Sequence, residues 1–312
     1  MTQHDRIMNV FNNIKTDRIK NIAKLNDRAF TRNRKMPLDE LIRFILAKKG
    51  KTTTMELNNY FKEIKNKENT ITKQAFSKQR KNLNPEVFVE LNKDYVSNFY
   101  KYADIKKYKG HIITAIDGSY LEISNTEELR EEYQCKSTGQ SIHRSIARAL
   151  LSGIYDVENN IMIDSIIGKR ADGERSLAKE NIMSMLNLFG DSRDIITIFD
   201  RGYISIDILL YLMLTDLKYL FRIPSSIFKK ERSSLKSDDE IIEIELNSSR
   251  ISNITTPELK ILGKELKKIN IRMVKIELST GEIEYLVTNI GKRQRGSFHC
   301  YWKEPLICYQ IF

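Results

Sequence analysis

The sequence predicts an α/β protein preceded by an α-helical N-terminal domain, and three observations carry that reading. Two β-branched runs, Ile112–Asp117 and Ile195–Asp200, each deliver an aspartate to an expected strand tip, with a glycine at once or one residue later. Residues 1–105 instead space their apolar side chains at helical intervals, and residues 226–284 alternate in short β-type stretches.

A chain of 312 residues has room for two domains and a sizeable core, and its 41% apolar content is that of a soluble protein. No window reads as a membrane span, and Asp5 and Arg6 ahead of a polar stretch do not make a signal peptide. A cytoplasmic location with no membrane partner is the expectation. Cys135, Cys300 and Cys308 form no CxxC pair, and His4, His111, His143 and His299 show no ligand spacing. A disulfide framework and a structural zinc site are therefore not expected.

The net charge of +11 is unevenly placed. Residues 1–110 hold 25 Lys and Arg against 12 Asp and Glu, and the remainder holds 27 against 29. The basic excess is thus N-terminal, as in a polyanion-binding module joined to a second part.

In order along the chain, Pro37 opens an amphipathic helix with Leu38, Leu41, Ile42, Ile45 and Leu46, stopped by Gly50. A second helix covers about Thr54 to Ile64. Thr72 then caps a short basic helix, residues 73–81, anchored by Ala75 and Phe76 and ended by Asn84-Pro85. The pair resembles a helix-turn-helix, with Lys73, Gln74, Ser77, Lys78 and Arg80 facing DNA. From residue 108 the pattern becomes α/β: a strand over His111–Asp117, strands near Ser145–Tyr155 and Ile161–Gly168, and a helix over Ser176–Phe189. The strand Ile195–Phe199, a helix over Ser205–Asp216 and the strand Tyr219–Ile223 follow. Residues 226–284 read as a β-rich insertion, with a turn at Ser279–Glu282 leading into Ile283–Thr288.

An ionised carboxylate beside a core is costly unless paired or metal-bound. Asp117 and Asp200 on neighbouring strands would make half of a divalent-metal site.

Asp117-Gly118-Ser119 on the first strand and Asp200-Arg201-Gly202-Tyr203 on the fourth resemble the DDE transposases of bacterial insertion sequences, in the branch whose RNase H-like core carries a β-rich insertion. Residues 30–37, 71–77 and Tyr285–Asn289 add to the resemblance, which spans roughly residues 25 to 290. It implies an RNase H-like catalytic core over 106–225, interrupted by the insertion at 226–284 and resumed at 285–312, behind a helical DNA-binding domain at 1–105. It implies binding of terminal inverted repeats, a homo-oligomer on the DNA, and strand cleavage and joining with two Mg²⁺ or Mn²⁺ ions. Such ions stand about 3.5–4 Å apart between carboxylates. Asp117 and Asp200 carry over as catalytic metal ligands, and Arg201 and Tyr203 as residues that position DNA.

The resemblance departs at the third ligand. The family places a Glu on a helix after the insertion, spaced Tyr-x2-Arg-x3-Glu-x6-Lys, and nothing after Asn289 has that spacing. The tail's carboxylate side chain is Glu304, followed at once by Pro305, which disfavours a helix there. The tail reads as truncated or out of frame, so the expectation is a catalytically impaired transposase. The alternatives are a DNA-binding regulator of transposition, or a nuclease that recruits Glu122, Asp172, Glu174 or Glu304. Each of those four is expected first as a solvated surface residue.

Overall fold

The computed structural model describes residues 2–32, 35–64, 71–133, 146–190 and 194–291. The chain divides into two compact units, Met1–Asp104 and Ile105–Phe312.

The first unit is helical: α1 (Gln3–Asn13), α2 (Asp17–Ile22), α3 (Leu38–Leu46), α4 (Thr53–Asn59) running into a π-helical turn at Tyr60–Ile64, α5 (Lys73–Arg80) and α6 (Glu86–Tyr102). Thr2, Thr16 and Thr72 cap α1, α2 and α5 by accepting from the backbone N–H groups of Asp5, Ile19 and Ala75. Its core gathers Ile14, Ile19, Leu41, Ile42, Phe44, Leu57, Phe76 and Val87. Two details differ from the sequence reading. Leu46, at the last position of α3, is 52% exposed, and Phe44 turns inward in its place. Phe44 meets Tyr60 and Phe76 edge-on at 5.3 and 5.0 Å, so an aromatic cluster joins the buried Leu38, Leu41 and Ile42 on the inner face of α3. Ala75 is exposed, which leaves Phe76, at 2%, to anchor α5. The connection expected to form the turn of a helix-turn-helix, residues 65–70, lies outside the described residues.

The second unit is mixed α/β. Its elements are β1 (Ile112–Glu122), α7 (Glu127–Glu132), β2 (Arg148–Asp156), β3 (Ile161–Gly168), α8 (Glu174–Phe189), β4 (Ile195–Phe199), α9 (Ile206–Met213) and β5 (Lys218–Ile223). After these come α10 (Lys229–Ser233), β6 (Asp239–Glu245), α11 (Ser248–Ser252), α12 (Pro257–Leu266), β7 (Lys268–Glu277) and β8 (Ile283–Thr288). The strands form one eight-stranded sheet in the order β3-β2-β1-β4-β5-β8-β7-β6. β1, β2 and β3 are antiparallel neighbours, while β4 and β5 run parallel to β1. β8 closes antiparallel onto β5, then β7 and β6 follow.

Within residues 226–284, β6 and β7 extend the main sheet through β8, and the segment also carries α10, α11 and α12. The continuity is chemical as well as topological. Arg272 on β7 makes two 2.8 Å bonds to Asp239 on β6 and also donates to the Ile290 carbonyl just past β8.

Between β1 and β4 the core is Ile-rich, with Ile113, Ile196, Ile198, Leu220 and Leu286 on one face. The opposite face holds a buried Thr114–Thr197 hydroxyl pair at 2.8 Å. Helix α8 packs on β2 and β3 through a buried polar relay. The Ser152 hydroxyl donates to Asn181 Oδ1 at 2.6 Å, and Asn181 Nδ2 donates to Asp164 at 3.2 Å. Gly168 lets α8 come close: a Cβ there would stand 2.8 Å from a Leu177 methyl. Among the described residues no helix is long and apolar enough to cross a membrane. Cys135, Cys300, Cys308, His143, His299 and Glu304 lie outside the described residues.

Candidate functional site

The parallel register that pairs Ile116 with Phe199 brings the next residues of both strands, Asp117 and Asp200, to the same level. Asp200 stands immediately after β4, as a strand-tip residue should. Asp117 does not stand at a tip. It is the sixth residue of an eleven-residue strand, and Gly118 continues that strand instead of turning the backbone away. What Gly118 supplies is space. A Cβ at that position would lie 3.0 Å from Glu174 Cγ, 3.3 Å from Glu174 Cδ and 3.3 Å from the Tyr203 hydroxyl.

Glu174, the first residue of α8, is therefore packed against the Asp117 strand and is half-buried, not solvated as its neighbours suggest. Two contacts fix the start of α8 over the turn that follows Asp200. Arg175 Nε and Nη2 both donate to the Gly202 carbonyl, at 3.0 and 2.9 Å. Further along, Lys179 pairs with Asp207 on α9 and donates to Thr256 Oγ1 at 2.9 Å, while the Tyr211 hydroxyl donates to the Lys179 carbonyl at 3.1 Å.

The electrostatics register this crowding of like charges. Burial pushes the Asp117 carboxyl upward; the Gly118 N–H, donating to it at 2.8 Å, opposes the shift and the charge of Asp200 adds to it. The Glu174 carboxyl is raised by burial and then by Asp117, against the opposing charge of Arg175, with Asp200 adding a further push. Tyr203 is 1% exposed, and burial, then Asp117, Glu174 and Asp200, raise its hydroxyl. That hydroxyl has no hydrogen-bond partner among the described residues.

The structure thus brings together Asp117, Asp200, Glu174 and Tyr203. As their side chains stand, no group of three His, Cys, Asp or Glu residues among the described ones converges as a ligand set. The donor chemistry nonetheless suits a hard divalent cation: carboxylate oxygens, with no sulfur or imidazole at the cluster among the described residues. The Tyr203 hydroxyl, without a partner among the described residues, fits the need of such a site for a donor to its carboxylates or waters. A cavity of about 540 Å³ adjoins the cluster, lined among others by Glu174, Arg175, Gly202, Ser205 and Thr256.

The remaining sequence-predicted residues lie elsewhere. Arg201 is 47% exposed at its side chain and bonds Glu284 at 2.6 Å; the same buried Glu284 also takes Arg222. Tyr203, expected at the DNA, is inside the core, near Phe199 at 6.0 Å between centroids. Lys73, Gln74, Lys78 and Arg80 are exposed on α5 of the first unit, and Ser77 is half-buried. Glu122 pairs with Arg148 at 3.2 Å, and Asp172 closes a turn by accepting from the Lys169 N–H. Of the three candidate substitutes among the described residues, Glu174 alone is placed against Asp117 by these contacts. Its nearness is out of reach of the sequence, although Gly118, next to Asp117, and Gly202, two residues after Asp200, are a usable signal.

No family model matches the chain. No curated protein matches it either. Among solved structures, the chain is similar to the piggyBac transposase synaptic complex with hairpin DNA determined by cryo-EM, at 10% identity and a TM-score of 0.39. That likeness covers 99% of this chain and 58% of the other, so the chain spans little more than half the length of the protein it matches.

Proposed function

We propose that this chain is a transposase-related protein that acts on DNA ends through a divalent-metal site at Asp117 and Asp200. The observation that carries the reading is the pairing of these two carboxylates at one level of two parallel core strands, in the sequence contexts Asp117-Gly118-Ser119 and Asp200-Arg201-Gly202-Tyr203. The strand order β3-β2-β1-β4-β5, three antiparallel strands followed by two parallel ones, supports an RNase H-like core. In this reading residues 1–105 bind terminal inverted repeats, 106–225 begin the core, 226–284 interrupt it and 285–312 resume it.

Asp117 and Asp200 hold the ions, Mg²⁺ or Mn²⁺, expected as two. A bound divalent ion of this kind polarises a phosphoryl oxygen and lowers the pKa of a water or 3′-hydroxyl. The chain's own part is positional. The β1–β4 register fixes the spacing of the two carboxylates, and the Gly118 N–H orients one oxygen of Asp117. Exposed Lys73, Lys78 and Arg80 on α5 supply phosphate contacts, and Gln74 and Ser77 lie beside them. Oligomerisation on the DNA belongs to the same reading.

The experiment is cleavage of a labelled DNA end, taken from the sequence flanking this gene, in Mg²⁺ or Mn²⁺ beside Asp117→Ala and Asp200→Ala. Cleavage by the wild type, at the reduced rate that the missing Tyr-x2-Arg-x3-Glu-x6-Lys spacing implies, and its loss in both variants is the expected result. Cleavage that survives both variants overturns the assignment. Binding without cleavage favours the second reading, a DNA-binding regulator of transposition, which the N-terminal basic excess supports.

A further inference from the structure

We infer that Glu174 is the third carboxylate of a cation site it forms with Asp117 and Asp200, so that the site draws its ligands from β1, β4 and the start of α8. The inference rests on the reading of the two aspartates as metal ligands and names what completes them.

Three independent features of the structure meet at Glu174. The first is the glycine that follows each aspartate, at once after Asp117 and two residues after Asp200. A Cβ at Gly118 would stand 3.0 Å from Glu174 Cγ, and a Cβ at Gly202 would stand 3.8 Å from Glu174 Oε2. A side chain at 118 would press into the room that this glutamate uses, and one at 202 would come into ordinary contact with its carboxylate. The second is the Tyr203 hydroxyl. It is buried in a residue only 1% exposed, has no partner among the described residues, and lies 3.3 Å from the same Gly118 point. A buried hydroxyl without a partner costs roughly 1–3 kcal/mol. A donor aimed at a carboxylate that an ion holds in place would recover that bond. The third is rigidity at the helix start. Arg175 locks the first turn of α8 to the Gly202 carbonyl, and the Asn181 relay locks its middle to β2 and β3.

Charge decides why these residues would be kept together. Crowded carboxylates partly removed from water repel one another and lose hydration, an arrangement that is costly without a counter-charge. The formally opposite neighbour, Arg175, directs its guanidinium to the Gly202 carbonyl. A divalent cation neutralises the cluster directly. Glu174 carries its carboxylate on three side-chain torsions and is the member able to close on an ion from the cavity side. Because all three acids lie within residues 117–200, the site needs no acid from the tail, and the missing Tyr-x2-Arg-x3-Glu-x6-Lys spacing does not by itself remove the third ligand.

The test is a Mn²⁺ titration of the full chain without DNA, followed by calorimetry and by the Mn²⁺ paramagnetic resonance signal. Wild type, Glu174→Gln, Asp200→Asn and Glu180→Gln are compared, the last an exposed acid on the same helix. Circular dichroism confirms folding of each. Expected are a tenfold or greater loss of Mn²⁺ affinity in Glu174→Gln and in Asp200→Asn, and none in Glu180→Gln. Wild-type affinity in Glu174→Gln overturns the inference, as does a wild type that takes up no Mn²⁺. The two readings fail separately. Glu174-dependent Mn²⁺ binding with no cleavage of any DNA end leaves the cation site standing and removes the strand-cleaving function. Cleavage that needs Asp117 and Asp200, with Mn²⁺ binding indifferent to Glu174, does the reverse.

Discussion

Gly118 and Glu174 meet where strand β1 passes under the start of helix α8, with 3.0 Å between Glu174 Cγ and the point a Cβ at 118 would occupy. A contact that short is tighter than carbon atoms ordinarily make, so a side chain on Gly118 requires the glutamate, the Tyr203 hydroxyl or both to give way by a few tenths of an ångström. The backbone at 118 is ordinary strand, outside the left-handed region. The glycine therefore serves close approach and not a turn.

Gly118→Ala separates the two effects of adding that methyl group. Replacing glycine lowers the entropy of the unfolded chain, worth about 0.4–1 kcal/mol of stability. Overpacking costs about 1–3 kcal/mol. The second effect is larger, so the expected outcome in urea unfolding is a net loss on the order of 1 kcal/mol. Mn²⁺ affinity should fall along with it. A stabilised variant would show that Glu174 swings aside at no cost.

The raised carboxyls give a pH dependence with a definite sign. Asp117 and Glu174 are held above their ordinary values of 3.8 and 4.5, so the folded state prefers their protonated forms. Their contribution to stability is complete below those ordinary values and is lost as pH rises through the higher folded ones. Glu174→Gln removes one of the two shares. Without divalent ions, the variant should gain stability over wild type near neutral pH and gain little in acid below the ordinary carboxylate range. An equal difference under both conditions, measured by denaturant unfolding, would contradict the repulsion.

Asn181 is fully buried on α8 and bridges Ser152 on β2 to Asp164 on β3. Asn181→Leu keeps most of the volume but strands the Ser152 hydroxyl, itself fully buried, and half-buried Asp164. Leaving such groups unpaired costs about 1–3 kcal/mol each, so the expected loss in urea unfolding is about 2 kcal/mol or more. Since the relay seats α8, Mn²⁺ affinity should weaken as well, although Asn181 touches none of the three acids directly in the hydrogen-bond network. Unchanged stability would mean that the Leu177 and Ile182 packing seats the helix alone.

The α/β character of residues 106–225 is legible because buried strands announce themselves as β-branched runs such as Ile195–Phe199. The same signal misleads at Gly118. A glycine after a β-run reads as punctuation, yet β1 continues to Glu122 because Ser119, Tyr120 and Leu121 pair with Leu151, Leu150 and Ala149 across the sheet. Helix α11 escapes the sequence since it is short and polar, whereas α12 carries Leu259, Ile261, Leu262 and Leu266 and a start signal at Pro257 that the alternating stretches on either side outweigh. Phe44 escapes for a different reason: its partners Tyr60 and Phe76 come from other helical segments, and no local period encodes that cluster. Glu174 is the extreme case. It reaches Asp117 only through the crossover from β3 into α8, so its sequence neighbourhood, Ala171-Asp172-Gly173, looks like a solvated loop.

The basic face of α5 carries the last prediction. Lys73, Lys78 and Arg80 are exposed on a helix whose seat is Phe76, with the Arg80 guanidinium 5.7 Å from that ring. Removing all three cations should reduce the steepness of log affinity against log salt by about 2.7, since each neutralised phosphate contributes about 0.9 for duplex DNA. The triple variant Lys73→Ala, Lys78→Ala, Arg80→Ala should therefore bind a DNA end more weakly than wild type at low salt, and the two should converge as salt rises. Thermal unfolding should be little changed, because none of the three is buried. Gln74→Ala should leave the slope untouched and, if it reads a base edge, weaken one sequence more than another. A triple variant with the wild-type slope would move the DNA-binding surface off α5, and the basic excess of residues 1–110 would then have to act through another face of the first unit.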